Sequence, residues 1–248
     1  MARAPKPIRP LRRQERRYDK AIRKRVLRPL YNSMLGPFRR AEQLQGELIQ
    51  EIDQRFNKFI QGPLQQTSTV LATAQITDLN AYHRKAMVAS FRSALGVSIN
   101  PLFIDGQINV LMMMAIKENV ELIRSIPLQL QGDLIKHVTE TIEKHGFNEQ
   151  KLIKTLNNRF NVAGSRAKLI ARDQTSKTIG ALTKARHQQI GITEYVWITS
   201  NDERVRSSHA SLNGSKQEWA TPPPVSGHPG HSIQCRCVAQ AVIEGVDF

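Results

Sequence analysis

Apolar residues recur every three to four positions through most of the first 190 residues, and this spacing predicts a succession of amphipathic helices. Leu44, Leu48, Ile52, Phe56 and Phe59-Ile60 mark a helix from Ala41 that should stop at Gly62-Pro63. A second pattern runs from about Thr73 to Leu95 and ends at Gly96. Ile108, Leu111, Met112, Ala115, Ile116, Val120 and Ile123 define a third, expected to close before Pro127 because a residue preceding proline avoids helical geometry. Met112-Met113-Met114 point in three directions around that helix, so most of them are expected in the core. A fourth helix fits Leu130 to Lys144, with Gly146 as its terminator. Asn148 is placed to cap a short fifth helix, and Ser165 a longer sixth that runs through Leu169, Ile170, Ile179 and Leu182 to Gly191.

The period then shortens. Thr193 to Thr199 alternates and is rich in β-branched and aromatic residues, which favours a strand. A short helix is expected from Asn201 or Asp202 through Leu212, ended by Asn213-Gly214. Pro222-Pro223-Pro224 forces an extended connection, Pro229-Gly230 a turn, and Cys235 to Ile243 a second strand. The fold class is therefore mainly α with a small C-terminal α+β module. The chain divides into residues 1–40, 41–191 and 192–248.

Charge changes the picture at the N-terminus. The 248 residues carry a net +15, and residues 1–40 alone hold fourteen arginines and lysines against Glu15 and Asp19, a balance of +12. Pro5, Pro7 and Pro10 keep the first ten residues out of helix, so 1–40 reads as a basic, partly disordered arm ahead of the helical body. Arg12, Arg13, Arg16, Arg17, Arg23, Lys24 and Arg25 are its candidate contacts to double-stranded DNA, without sequence preference, or to an acidic protein surface. No run approaches the roughly 20 apolar residues of a membrane span, and the arginine-rich start lacks the apolar centre of a secretion signal.

Only two cysteines occur, too few for a disulfide framework in a chain of this size, so they are read as thiols or ligands. In a strand Cys235 and Cys237 would present both sulfurs to one side. With His209, His228 and His231 as the available imidazoles, they make up the donor types of a zinc site. A competing reading buries the thiols as small apolar groups. Asp202 and Glu203 beside these histidines raise a metal-dependent nuclease as the alternative function, built on His209, Cys235, Cys237 and either His228 or His231. Nucleophilic chemistry at a cysteine would need a thiolate favoured by Arg236 or a histidine. Arg204 and Arg206 are expected to pair with Asp202, Asp173 or Glu194.

The ordered run Asp202, Arg204-Val205-Arg206, His209, Leu212, Gly214, Pro229-Gly230 and Ile233-Gln234-Cys235-Arg236-Cys237, preceded by Ile170-Ala171-Arg172-Asp173, Gly191 and Trp197, resembles the phage Mu F-like minor head protein family, also called the head morphogenesis family. Glu118 to Pro127 resembles the segment that opens its shared region, so the likeness covers roughly residues 107–243. It marks Asp173, Asp202, Arg204, Arg206, His209, Gly214, Cys235, Arg236 and Cys237 as signature positions. The resemblance implies a non-enzymatic structural protein, made in the bacterial cytoplasm and carried in the procapsid interior and virion. Its implied partners are the portal, capsid or scaffold proteins and packaged DNA, with no membrane; no cofactor is implied, and zinc stays open. Some relatives carry C-terminal toxin domains, which a chain ending at Phe248 is not expected to have.

Overall fold

Helix begins at Arg12. In the computed structural model, which describes residues 4–246, α1 (Arg12–Ile22), a π-helical turn (Arg23–Leu27) and α2 (Arg28–Arg39) follow one another without a break. Pro29 accounts for the turn: it has no N–H for the carbonyl four residues back, and the widened backbone lets the Arg28 N–H reach Arg23 instead. Tyr18, Ile22, Val26, Leu30, Met34 and Phe38 recur every four residues here, and all are buried. That spacing overruns an α-helical turn by about 40° per step, and the wider π turn takes up part of the drift.

The expected disordered arm is therefore corrected: its charge masked an apolar stripe. The preceding segment is extended, as its prolines require, yet it is tied down. Ile8 is buried in a cluster with Ile76, Leu79 and Met87, Ser90 Oγ donates to the Lys6 carbonyl (3.0 Å), and the Tyr82 hydroxyl donates to that of Arg9 (2.9 Å). Arg3, counted in the basic segment, and Phe248 lie outside the described residues.

The helices that follow are α3 (Ala41–Leu44), α4 (Leu48–Gln61), α5 (Pro63–Leu95), α6 (Asp105–His145) and α7 (Glu149–Gln189). Two expected boundaries are absent. Pro127 lies inside α6, where Ile123, Ile126, Leu130, Leu134 and Val138 form one buried stripe on both sides of it. Burying several such side chains at about 1.5–3 kcal/mol each outweighs the roughly 3 kcal/mol of an interior proline. Ser165 likewise sits within α7, its hydroxyl donating back to the Asn161 carbonyl (3.2 Å) rather than capping. Asn148 does cap α7, accepting the Lys151 N–H at 3.0 Å, and Gly146 adopts the positive φ of a terminator. Met113 and Met114 are exposed, against the expectation of a core role.

Contacts divide the chain into two compact units. Arg16–Thr73 and Lys117–Ala171 form one; Met1–Glu15, Ala74–Ile116 and Arg172–Phe248 form the other. In the first, the Tyr18 hydroxyl donates to Asn119 Oδ1 (2.9 Å), and Tyr31 packs edge-on against Phe160 with centroids 5.2 Å apart. The second holds a three-stranded antiparallel sheet of order β2–β1–β3, from β1 (Glu194–Ile198), β2 (Lys216–Glu218) and β3 (Val238–Ala241). Tyr195 stands opposite Gln217 and Ala241, and Trp197 opposite Ala239. Strand β2 was not expected, because Lys-Gln-Glu at an exposed edge has no apolar alternation to read. The expected short helix shrinks to α8 (Ser207–Ala210). Among the described residues no helix is long and apolar enough to cross a membrane.

Because residues 12–39 supply core, Ile22→Ala and Leu30→Ala should each cost about 2–4 kcal/mol in chemical denaturation, whereas exposed Lys24→Ala should change stability by less than about 0.5 kcal/mol. Near-zero effects at all three positions would mean that the segment detaches from the body.

Candidate functional site

The site is built where a turn lies directly on α7. A Cβ added to Gly180 would meet the Pro229 carbonyl oxygen, and one added to Gly230, whose φ is +87°, would fall 2.7 Å from the Ser176 carbonyl. Neither position admits a side chain, so the Pro229-Gly230 turn rests on the helix backbone. From there the Gly230 N–H points at Cys235 Sγ, 3.4 Å away.

The loop after the turn is pinned by the signature residues. Gln234 takes a left-handed backbone (φ +58°), its N–H donates to Asp173 Oδ1 (2.8 Å), and its side-chain oxygen accepts from Arg172 (2.8 Å). Lys177 lies 3.4 Å from the other Asp173 oxygen. Arg206 donates to the Ile233 carbonyl at 2.7 Å. Arg236 grips Asp202 with both terminal nitrogens, Nη2 at 2.5 Å from Oδ1, and Asp202 also accepts the Arg204 N–H at 3.0 Å. The Arg236 guanidinium holds this exposed carboxyl below the usual range. The expected partners of Arg204 and Arg206 are thus corrected. Arg236 takes Asp202, Asp173 serves the loop backbone, and Arg206 bonds a carbonyl.

At the centre stand His209, Cys235 and Cys237, all buried. His209 Nδ1 is 3.6 Å from Cys235 Sγ and 3.5 Å from Cys237 Sγ. The rings of Trp197 and His209 meet edge-on, centroids 5.3 Å apart, and the Trp197 N–H is buried with no hydrogen-bond partner. The Cys237 thiol, then the Gly230 and Cys237 N–H groups, favour a thiolate at Cys235, while the Cys235 sulfur and burial push Cys237 up. A polar cavity of about 220 Å³ adjoins the cluster, lined by Arg172, Arg204, Arg206 and Arg236.

The cysteines precede β3 instead of lying in it, so the expected strand geometry is corrected; the left-handed Gln234 and the pinned loop bring their sulfurs together. Of the three expected imidazoles, only His209 joins them among the described residues. His228 is spent elsewhere, with Nδ1 3.0 Å from the Tyr195 hydroxyl and Nε2 3.1 Å from Lys184 Nζ. Burial and then the Lys184 charge hold its pKa down at about 4. His231 is exposed, beside Gly227. Gly214, φ +79°, sends its N–H to the Trp197 carbonyl at 2.8 Å and turns the chain into β2.

Among the basic residues, Arg12, Arg13, Arg16, Arg17, Lys24 and Arg25 are exposed. Arg23 is not free. Its Nε donates to Asp19 (2.7 Å) and its Nη2 to the Gly164 carbonyl. Sequence reasoning missed Gly180, and it gave Gln234 and Trp197 no role beyond their place in the ordered run. Pro-Gly signalled the turn, but nothing in the sequence says which helix it touches.

Gly180→Ala should destabilise by about 1–3 kcal/mol, while Gly132→Ala, with nothing within 4 Å of the new methyl group, should stabilise by up to about 1 kcal/mol in urea titrations. Equal effects would contradict the close approach. The sheet also carries a pH dependence. Buried His187 accepts the Trp219 N–H at 3.2 Å, and burial lowers its pKa to about 3. The unfolded ring protonates near the ordinary 6.5, so this contribution is complete above that pH and is lost as pH falls toward 3. Between these values His187→Gln should reduce the stability slope by about 1.4 kcal/mol per pH unit, and identical slopes would refute the assignment.

Residues 133–240 match the family described as Phage Mu protein F like protein. An uncharacterized protein of Haemophilus influenzae is 40% identical over 126 residues, which are 51% of this chain and 28% of that protein. The chain thus matches less than a third of its relative's length. No solved structure matches. The matched region takes in α7, the sheet up to Gln240 and every signature residue from Asp173 to Cys237. Over residues 133–240 the chain is similar to the Phage Mu protein F like family.

Proposed function

We propose that this protein is a minor head protein of a bacteriophage, acting in head morphogenesis as a structural component and not as an enzyme. The family match over residues 133–240 carries the reading. The use made of the signature supports it: Asp173, Asp202, Arg206 and Arg236 are engaged in bonds that hold the loop in shape. Among the described residues the His209–Cys235–Cys237 cluster includes no carboxylate to serve as a general base.

In this reading the helical body docks on the portal or the inner capsid, during procapsid assembly or the packaging and ejection of DNA. The exposed cations of α1 and the π turn meet DNA or the portal. Such a face attracts phosphate by releasing counterions, with affinity that falls as salt rises by about 0.9 log units per log unit of salt for each phosphate contacted.

Purified protein should co-sediment with procapsids containing the portal and not with portal-free shells; failure to bind either would sink the head-protein reading. Replacing Arg12, Arg13, Arg16, Arg17, Lys24 and Arg25 with glutamine should abolish salt-sensitive DNA binding while keeping the helical circular dichroism. An unchanged salt slope would remove DNA from the proposal.

A further inference from the structure

His209 Nδ1 is nearly equidistant from two sulfurs, and the three donor atoms lie within 4.8 Å of one another. A neutral imidazole nitrogen offers one in-plane hydrogen or one lone pair, so it makes one good hydrogen bond. Two sulfurs at equal range call for something between all three. With metal–sulfur bonds of about 2.3 Å and metal–nitrogen bonds of about 2.0–2.1 Å, ligands at the tetrahedral angle stand about 3.6 Å apart. The distances of 3.6 and 3.5 Å match that edge.

We propose that His209 Nδ1, Cys235 Sγ and Cys237 Sγ bind one zinc ion, with the fourth coordination position facing the arginine-lined cavity and taken by water or a small anion. The donor set is soft to borderline, which selects zinc over magnesium or calcium. Two thiolates balance the dication, so the buried site gains no net charge. The surroundings supply what thiolate ligands need. The Gly230 N–H already donates to Cys235, and the buried Trp197 N–H lies beside Cys237, whose sulfur keeps lone pairs to accept from it when metal is bound.

The site is also formed in advance. Asp173 on Gln234, Arg206 on Ile233 and Arg236 on Asp202 hold the loop without using a ligand atom. Three protein ligands leave one position open, and guanidinium groups, having no lone pair to give a metal, draw an anion toward it. The zinc would fasten α8 to the segment entering β3. This inference does not depend on the head-protein reading.

The test is elemental analysis of protein purified under reducing conditions without chelator, then cobalt replacement. About one zinc per chain is expected, with a thiolate-to-cobalt charge-transfer band and the visible bands of a tetrahedral ion. No metal after incubation with excess zinc, a cobalt spectrum lacking the thiolate band, or a Cys235–Cys237 disulfide in thiol titration would each overturn the site. Cys237→Ser and His209→Ala should lose the metal. Because either variant can misfold, wild-type protein supplies a second measurement: chelation should lower its Tm, and an unchanged Tm with zinc removed would refute the fastening role. Inorganic phosphate should perturb the visible cobalt bands, and unchanged bands would overturn the open fourth position.

Discussion

The candidate site depends on the absence of a side chain at Gly180. Because α7 presents bare backbone there, the Pro229-Gly230 turn reaches van der Waals contact with it, and this sets the origin of the loop that carries Cys235 and Cys237. Every later restraint works from that fixed point. Asp173, one α-helical turn before Ser176, catches Gln234, while Arg206 and Arg236 fix the loop to the segment around α8. The Arg236–Asp202 pair is partly exposed, so its effect on stability is small and its effect on loop direction is the larger. Such contacts arrange donors; they do not hold the unit together. That falls to the apolar packing of Tyr195, Trp197 and Trp219 against the cysteines.

The fold was legible where one physical term dominates. Helical periodicity and the change of period at Thr193 identified the mainly α body and the small α+β module. Local rules failed where long-range packing opposed them. The proline rule broke at Pro127 because the buried stripe of α6 continues past it, and the cap rule broke at Ser165 because α7 runs on. At the N-terminus a charge count hid a stripe of six buried residues, since arginines on the other helix face dominate any composition average.

The site was legible only in part. His209, Cys235 and Cys237 were within reach as a donor list, and the ordered signature resembles the family whose description matches residues 133–240. Which histidine joins the thiols was not legible, because His228 is withdrawn by Tyr195 and Lys184, contacts made across 33 and 44 residues of chain. The roles of the arginines were not readable either: backbone carbonyls such as that of Ile233 leave no mark in a sequence.

The ordered N-terminus alters what its charge can do. A disordered arm wraps any phosphate surface but loses conformational entropy on each contact, of order 1 kcal/mol per residue fixed. On a helix that cost is already met by the buried stripe beneath it. Within one unit, from Arg16 to Arg25, the exposed cations span about 14 Å at 1.5 Å per residue, a row comparable with the roughly 12 Å major groove of DNA. Such a row fits a phosphate backbone it can lie along, or a surface with acidic groups at matching intervals. For the proposed contacts to DNA or the portal, a helical row gives up the reach of a flexible tail for fixed geometry, which would favour a partner held at one place and orientation over loose association along a duplex.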